Sequence, residues 1–202
     1  MQFQELALSG AFVIELEQLA DDRGFFARTW CEREFSAHGL EPRLAQCSVS
    51  YNRSLGTLRG LHLQLPPRAE TKVVRCTQGA IYDVLLDLRP HSPTYGRWLS
   101  VTLSAENRRA VYVPRGCAHG FQTLADDTNV DYQISEFYAP AHARGVRWND
   151  PRFGIAWPQP ISTMSAKDMS YPDYAPEAFL ALAETQPGRG LERAAGRKAL
   201  GK

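Results

Sequence analysis

Long apolar runs, paired cysteines and a surplus of either charge are all missing from this 202-residue chain. No stretch approaches the roughly 20 apolar residues a helix needs to cross a bilayer, so no membrane-spanning helix is expected. Met1 to Leu19 has neither the basic start nor the continuous apolar centre of a signal peptide, so a cytoplasmic home is expected. Cys31, Cys47, Cys76 and Cys117 lie far apart with no CxxC pair. That spacing argues against a disulfide framework or a zinc site and for reduced, buried thiols. Lys and Arg number 23 against 22 acids, so there is no broad basic field and no nucleic-acid partner is expected.

What charge asymmetry exists sits at the end of the chain. Residues 186–202 carry Arg189, Arg193, Arg197, Lys198 and Lys202 against Glu192 alone, among Gly and Ala. Such a composition cannot bury a core, and it reads as a basic, disordered tail. Residues 1–185, with most of the chain's 44% hydrophobic residues, read as a single domain with one sizeable core. A phosphate on this body would have to be gripped by a few placed arginines.

Helical periods are also scarce. Cys31 to His38 reads as a short helix and Ala175 to Glu184 as a better one. Between them run short β-type segments: 13–16, 25–30, 44–51, 57–64, 72–76, 81–88, 98–103, 109–113, 120–124 and 130–137. Many strands without crossover helices predict an all-β fold, an antiparallel sandwich or barrel with a few short peripheral helices.

Strand alternation then sorts the chemistry. Within 57–64, Leu58, Gly60, His62 and Gln64 share a face, and Arg59 joins His62 only if the strand is irregular at Gly60. Lys72, Val74 and Cys76 share a face of the next run, as do Val130, Tyr132, Ile134 and Glu136 of a later one. A neutral-range base, a cation and a second imidazole at His119, held on neighbouring strands, suit removal of a proton from carbon beside a carbonyl. Histidine titrates near working pH, and an ammonium neutralises the oxyanion that forms.

Seven motifs in order carry a resemblance. They are Asp22-Arg23-Gly24-Phe25-Phe26, Leu58 to Gln64, Lys72 to Cys76, Asp87 to Thr94, Ala118-His119-Gly120-Phe121, Trp148-Asn149-Asp150-Pro151 and Ser165-Ala166-Lys167-Asp168. Together they resemble the dTDP-4-dehydrorhamnose 3,5-epimerase family. The resemblance implies a cupin-type jelly roll, a homodimer, and action on a nucleotide-diphosphate-linked 4-keto-6-deoxy sugar with no metal and no cofactor. It places the general base on His62, its supporting carboxylate on Asp168, the proton donor on Tyr132 and the enolate-holding ammonium on Lys72. Arg23 and Arg59 fall on the diphosphate grips, and Phe26, Gln46, His119, Tyr138 and Lys167 on other substrate contacts.

The resemblance departs at Arg28, Cys47-Ser48, Gln133 and Ala143, where the family usually has Glu, Asp-Asn, Lys and an acid. Several of those positions serve substrate or nucleotide contacts in the family, so the nucleotide stays open, as does inversion at C3 alone or at C3 and C5. Two rival readings remain. One is a metal-dependent cupin using His62, Gln64, Glu70 and His119, although an amide is a poor transition-metal ligand. The other is a non-catalytic sugar-binding jelly roll. Bland alternatives also stand: Asp168 as a cap for 165–170, Tyr132 as core, Lys72 and Arg59 as solvated edge charges, and Phe25, Phe26, Trp148 and Trp157 as core.

Overall fold

In the computed structural model, which describes residues 1–177 and 179, two antiparallel sheets form. The first has six strands in the order β1 (Gln2–Glu5), β2 (Phe12–Glu15), β10 (Ala110–Val113), β7 (Lys72–Gln78), β12 (Thr128–Ile134) and β5 (Gln46–Asn52). The second has five, in the order β13 (Ala143–Gly145), β6 (Leu58–Gln64), β11 (Cys117–Thr123), β8 (Ala80–Asp87) and β9 (Trp98–Ser104). A separate hairpin joins β3 (Leu19–Asp21) to β4 (Gly24–Phe26). The two helices are α1 (Glu32–Ala37) and α2 (Ala166–Met169).

Alternation along the strands builds three apolar layers. On β7, Val74 and Cys76 point into the space between the sheets, where they meet Val111, Val113 and Val130 of their own sheet and Ile81, Leu85, Leu103 and Phe121 of the other. Val73 points the opposite way and packs with Ile14, Ala110 and Tyr112 beneath Phe35 and Leu40. The outer face of the five-stranded sheet carries Leu61, Leu63, Val84, Leu86 and Ala118, covered by Val146, Phe153, Ile155 and Tyr174 from the C-terminal segment. This is the sheet-on-sheet packing of a jelly roll, with each outer face roofed by chain from one end.

Helix α1 shows how local sequence closes one roof. It has no side-chain cap, but Glu32 and Glu34 in its first turn complement the helix dipole. Gly39, at φ +69°, ends it: Gly39 N–H donates to Ser36 and Leu40 N–H to Phe35, at 3.0 and 2.9 Å, a double C-terminal closure in which Leu40 packs back with Phe35.

Some expectations need correction. Phe25 and Phe26 are 43% and 72% exposed rather than core, and their run is a strand only as far as Phe26. Cys76 and Cys117 are buried thiols, whereas Cys31 is half-buried and Cys47 is exposed on the edge strand β5. Strands β1, β3 and β13 gave no sequence signal, since three or four residues are too few to display a period of two. The helix expected from Ala175 is helical at Pro176, Glu177 and Phe179, and its remainder lies outside the described residues, as does the whole 186–202 tail.

Candidate active site

A cavity of about 690 Å³ opens between the sheets and is walled by β5, β6, β7, β11, β12, β13 and α2. His62, Lys72, Tyr132 and Asp168 all line it, together with Gln46, Arg59, His119, Tyr138 and Lys167. Their convergence depends on an irregularity in β6. His119 pairs with His62, yet Phe121 pairs with Arg59, so β6 carries one residue more than β11 between those points. The extra residue turns Arg59 onto the face that already bears His62.

Two glycines make that bulge possible. Gly60 sits at φ +124°, and a Cβ there would lie 2.5 Å from Gly120 Cα. A Cβ on Gly120 would in turn lie 2.7 Å from the Arg59 carbonyl. Only a pair without side chains lets the two backbones approach this closely. The irregularity anticipated at Gly60 is therefore present, and its partner glycine stands directly across the ladder.

His62 Nε2 lies 2.7 Å from Asp168 Oδ1. Helix α2 delivers that carboxylate: Ser165 is the N-cap, and its Oγ accepts the N–H of Asp168 at 3.0 Å. The capping task thus falls to Ser165, and the Asp168 side chain is left to turn toward β6, where it also accepts the Gly60 N–H at 3.3 Å. Burial pushes the Asp168 carboxyl upward, but the hydrogen bonds from His62, Gly60 and Ser165 outweigh it and hold it below the usual carboxylate range. The carboxylate stays charged behind the imidazole. With Nε2 engaged, Nδ1 is the nitrogen left for a substrate.

Lys72 is held as firmly. Its ammonium donates to the His62 carbonyl at 3.0 Å and lies 3.1 Å from Glu70 Oε1. Glu70 Oε2 accepts the Gln64 N–H at 3.0 Å. Tyr132, on β12, stands edge-on to His119 with ring centroids 6.0 Å apart. Burial and the neighbouring Asp83 push its phenol far above the ordinary tyrosine value, so it holds its proton at rest. Behind it, His119 Nε2 lies 2.7 Å from the fully buried Asp83.

The remaining sequence-derived residues divide. Arg59 donates to Asn52 Oδ1 at 2.7 Å and to the Tyr51 carbonyl at 3.2 Å, which anchors its guanidinium at the β5 side of the cavity. Gln46 accepts the Tyr138 N–H at 3.3 Å. Arg23 and Phe26 are not brought to this cavity. Both lie on the β3–β4 hairpin, where Arg23 is paired with Asp21 at 2.6 Å and its side chain is 89% exposed.

Sequence reasoning missed Gln64 as a clamp and Tyr171 as a wall. Gln64 accepts the Ala139 N–H at 2.6 Å and donates to the Arg68 and Phe137 carbonyls, fixing the segment that presents Tyr138. Its amide, like Glu70 on Lys72 and His119 on Asp83, is already engaged, so the four side chains of the metal-cupin reading do not form a common donor set. Among the described residues no three His, Cys, Asp or Glu side chains converge.

A jelly roll whose cavity holds a carboxylate-backed imidazole, an ammonium and a protonated phenol defines a cupin-type proton-transfer enzyme. Comparison narrows that class. Residues 5–175 match the family model described as dTDP-4-dehydrorhamnose 3,5-epimerase. A dTDP-4-dehydrorhamnose 3,5-epimerase of Sinorhizobium fredii is 43% identical over 173 residues, 85% of this chain and 89% of the relative. The crystal structure of the Bacillus anthracis enzyme of that name, with TDP and PPi bound, superposes with a TM-score of 0.81 at 42% identity, covering 86% of this chain and 99% of the other. ChmJ, a 3'-monoepimerase from Streptomyces bikiniensis in complex with dTDP-quinovose, gives 0.79 at 36% identity, covering 88% and 90%. The chain belongs to the dTDP-4-dehydrorhamnose 3,5-epimerase family and is a carbohydrate epimerase, an isomerase by class.

Proposed function

We propose that this epimerase inverts C3, C5 or both in a nucleotide-diphosphate-linked 4-keto-6-deoxyhexose, for deoxysugar biosynthesis. The observation that carries the reading is the 2.7 Å contact between His62 and Asp168 at a cavity that Lys72 and Tyr132 also line. His62 Nδ1 takes the proton from the carbon next to the C4 ketone, and the electron pair moves onto the C4 oxygen as an enolate. Asp168 stabilises the imidazolium that results. The Lys72 ammonium neutralises the enolate oxygen. Tyr132 then gives its proton to the opposite face of the carbon, which inverts the centre; the His62 imidazolium sheds its proton to water as the tyrosinate regains one from water, and both groups return to their starting states. A phenol whose pKa is raised by burial is a poor base and keeps its proton until an enolate calls for it.

Arg59 grips the diphosphate, since a guanidinium fork suits phosphate oxygens, and Lys167 adds a further substrate contact. Gln46, Tyr138 and His119 shape the sugar and nucleoside wall. Arg23 and Phe26 belong to the same site only if a second copy supplies them. Their hairpin exposes Leu19 at 68% and Phe26 at 72%, large apolar surface that favours a cover. The working unit is therefore a homodimer in which one copy's hairpin closes over its partner's cavity. Among the described residues no helix is long and apolar enough to cross a membrane, and activated-sugar substrates fit a cytoplasmic setting.

Ser48 and Ala143 line the cavity at positions where the family usually carries larger polar or acidic groups. Nucleotide choice is the property most exposed to that change. Incubation with 4-keto-6-deoxyglucose linked to thymidine, uridine, cytidine and guanosine diphosphates, with products followed by NMR, tests the function. Conversion of at least one to an epimer supports it, and conversion of none overturns it.

A further inference from the structure

We propose that Tyr171 is a positioning residue for the proton-transfer imidazole: its ring, seated on Gly145, forms a wall that holds His62 in line with the substrate. The inference rests on the reading of His62 as the base. Tyr171 lines the cavity three residues beyond Asp168. Its ring meets that of His62 edge-to-face, with centroids 6.2 Å apart and planes at 70°. Asp168 fixes one nitrogen of the imidazole and leaves rotation about that hydrogen bond unopposed. A second, apolar contact at a steep angle removes that freedom.

Gly145 supplies the seat. It pairs with His62 across the β13–β6 ladder, and a Cβ there would overlap Cζ, Cε1 and Cε2 of Tyr171. Gly145 has an ordinary backbone conformation, since it is absent from the glycines at positive φ. Glycine is needed at 145 for room rather than for backbone freedom. The Tyr171 ring therefore lies against Gly145 on the strand that runs beside the base. Burial and the neighbouring Asp168 raise its phenol to about 12, so it is neutral at working pH and adds no competing charge beside the Asp168–His62 pair.

The test is deuterium entry into the sugar in heavy water, with kcat and KM measured for the same variants and folding checked by thermal denaturation. Tyr171→Phe keeps the ring and is expected to keep the wild-type rate. Tyr171→Ala is expected to lower kcat roughly 10- to 100-fold, the scale of a small misplacement, with little change in KM. Gly145→Ala should reproduce that loss in the wild-type background and add almost nothing in the Tyr171→Ala background, where the new methyl has space. An unchanged kcat in Tyr171→Ala, an equal loss in Tyr171→Phe, or additive losses in the double variant would overturn the role. A wild-type protein that exchanges nothing would instead overturn the reading of His62 on which the inference rests.

Discussion

Two imidazole–carboxylate pairs in this molecule share a contact distance and differ in burial and in charge. His62 and His119 face each other across the β6–β11 ladder, and each places Nε2 2.7 Å from an aspartate. The side chain of His62 is 43% exposed and that of His119 is 4% exposed. Asp168 gathers hydrogen bonds from His62, Gly60 and Ser165, which keep its carboxyl low. Asp83 is wholly buried, its second oxygen has no hydrogen-bond partner, and burial drives its carboxyl up. Identical contacts thus give opposite electrostatics. The outer pair opens onto the cavity, whereas the inner pair is enclosed and fixes the His119 ring behind Tyr132.

Removing the two carboxylates one at a time should separate the pairs. Asp168→Ala is expected to slow deuterium exchange on the order of 10²- to 10⁴-fold, the usual worth of a positioned acid–base group. Its stability should change less, because water reaches the half-exposed imidazole. Asp83→Ala should show the reverse, losing about 1–3 kcal/mol in a denaturant titration because a buried ring nitrogen is left unpartnered. Tyr132→Phe should come next in effect, slowing inversion roughly 10²-fold while proton loss continues, so that label enters without a change of configuration. Chiral analysis of recovered sugar separates the two.

Arg59→Ala should weaken nucleotide-sugar binding by about 1.5–3 kcal/mol, the scale of a charge-assisted hydrogen bond, which calorimetry measures. Acid titration gives the smallest but sharpest contrast. The lowered Asp168 carboxyl contributes stability that is present above the ordinary carboxylate value of about 4 and lost as pH falls through its folded value. The raised Asp83 carboxyl contributes stability that is present below about 4 and lost as pH rises through its folded value. The stability gap between wild type and Asp168→Ala should therefore narrow on acidification, and that between wild type and Asp83→Ala should widen.

The same two pairs show how much was legible in the sequence. Strands such as Lys72–Gln78 and Ala80–Asp87 announce themselves as runs of apolar and β-branched residues that meet at the turn residue Gly79. The sequence pointed to His62 and Lys72 through strands that carry ordered motifs, and to Tyr132 through its strand and the family resemblance alone. Asp83 was not, since a charged residue inside the apolar run Ile81 to Leu86 gives no sign of its partner 36 residues away. Tyr171 and Gln64 were hidden for a similar reason: the seat at Gly145 and the clamp on 137–139 exist only after distant segments meet. Arg23 and Phe26 mark the opposite case, where motif resemblance assigns a contact that a single chain does not make.

His62, and not His119, is the imidazole expected to remove the proton. Solvent deuterium entry at C3 and C5 of the 4-keto sugar, measured side by side for His62→Asn and His119→Asn, decides it. The expected result is no label with His62→Asn and a measurable rate with His119→Asn. Label entering with His62→Asn at the wild-type rate would contradict a base at His62.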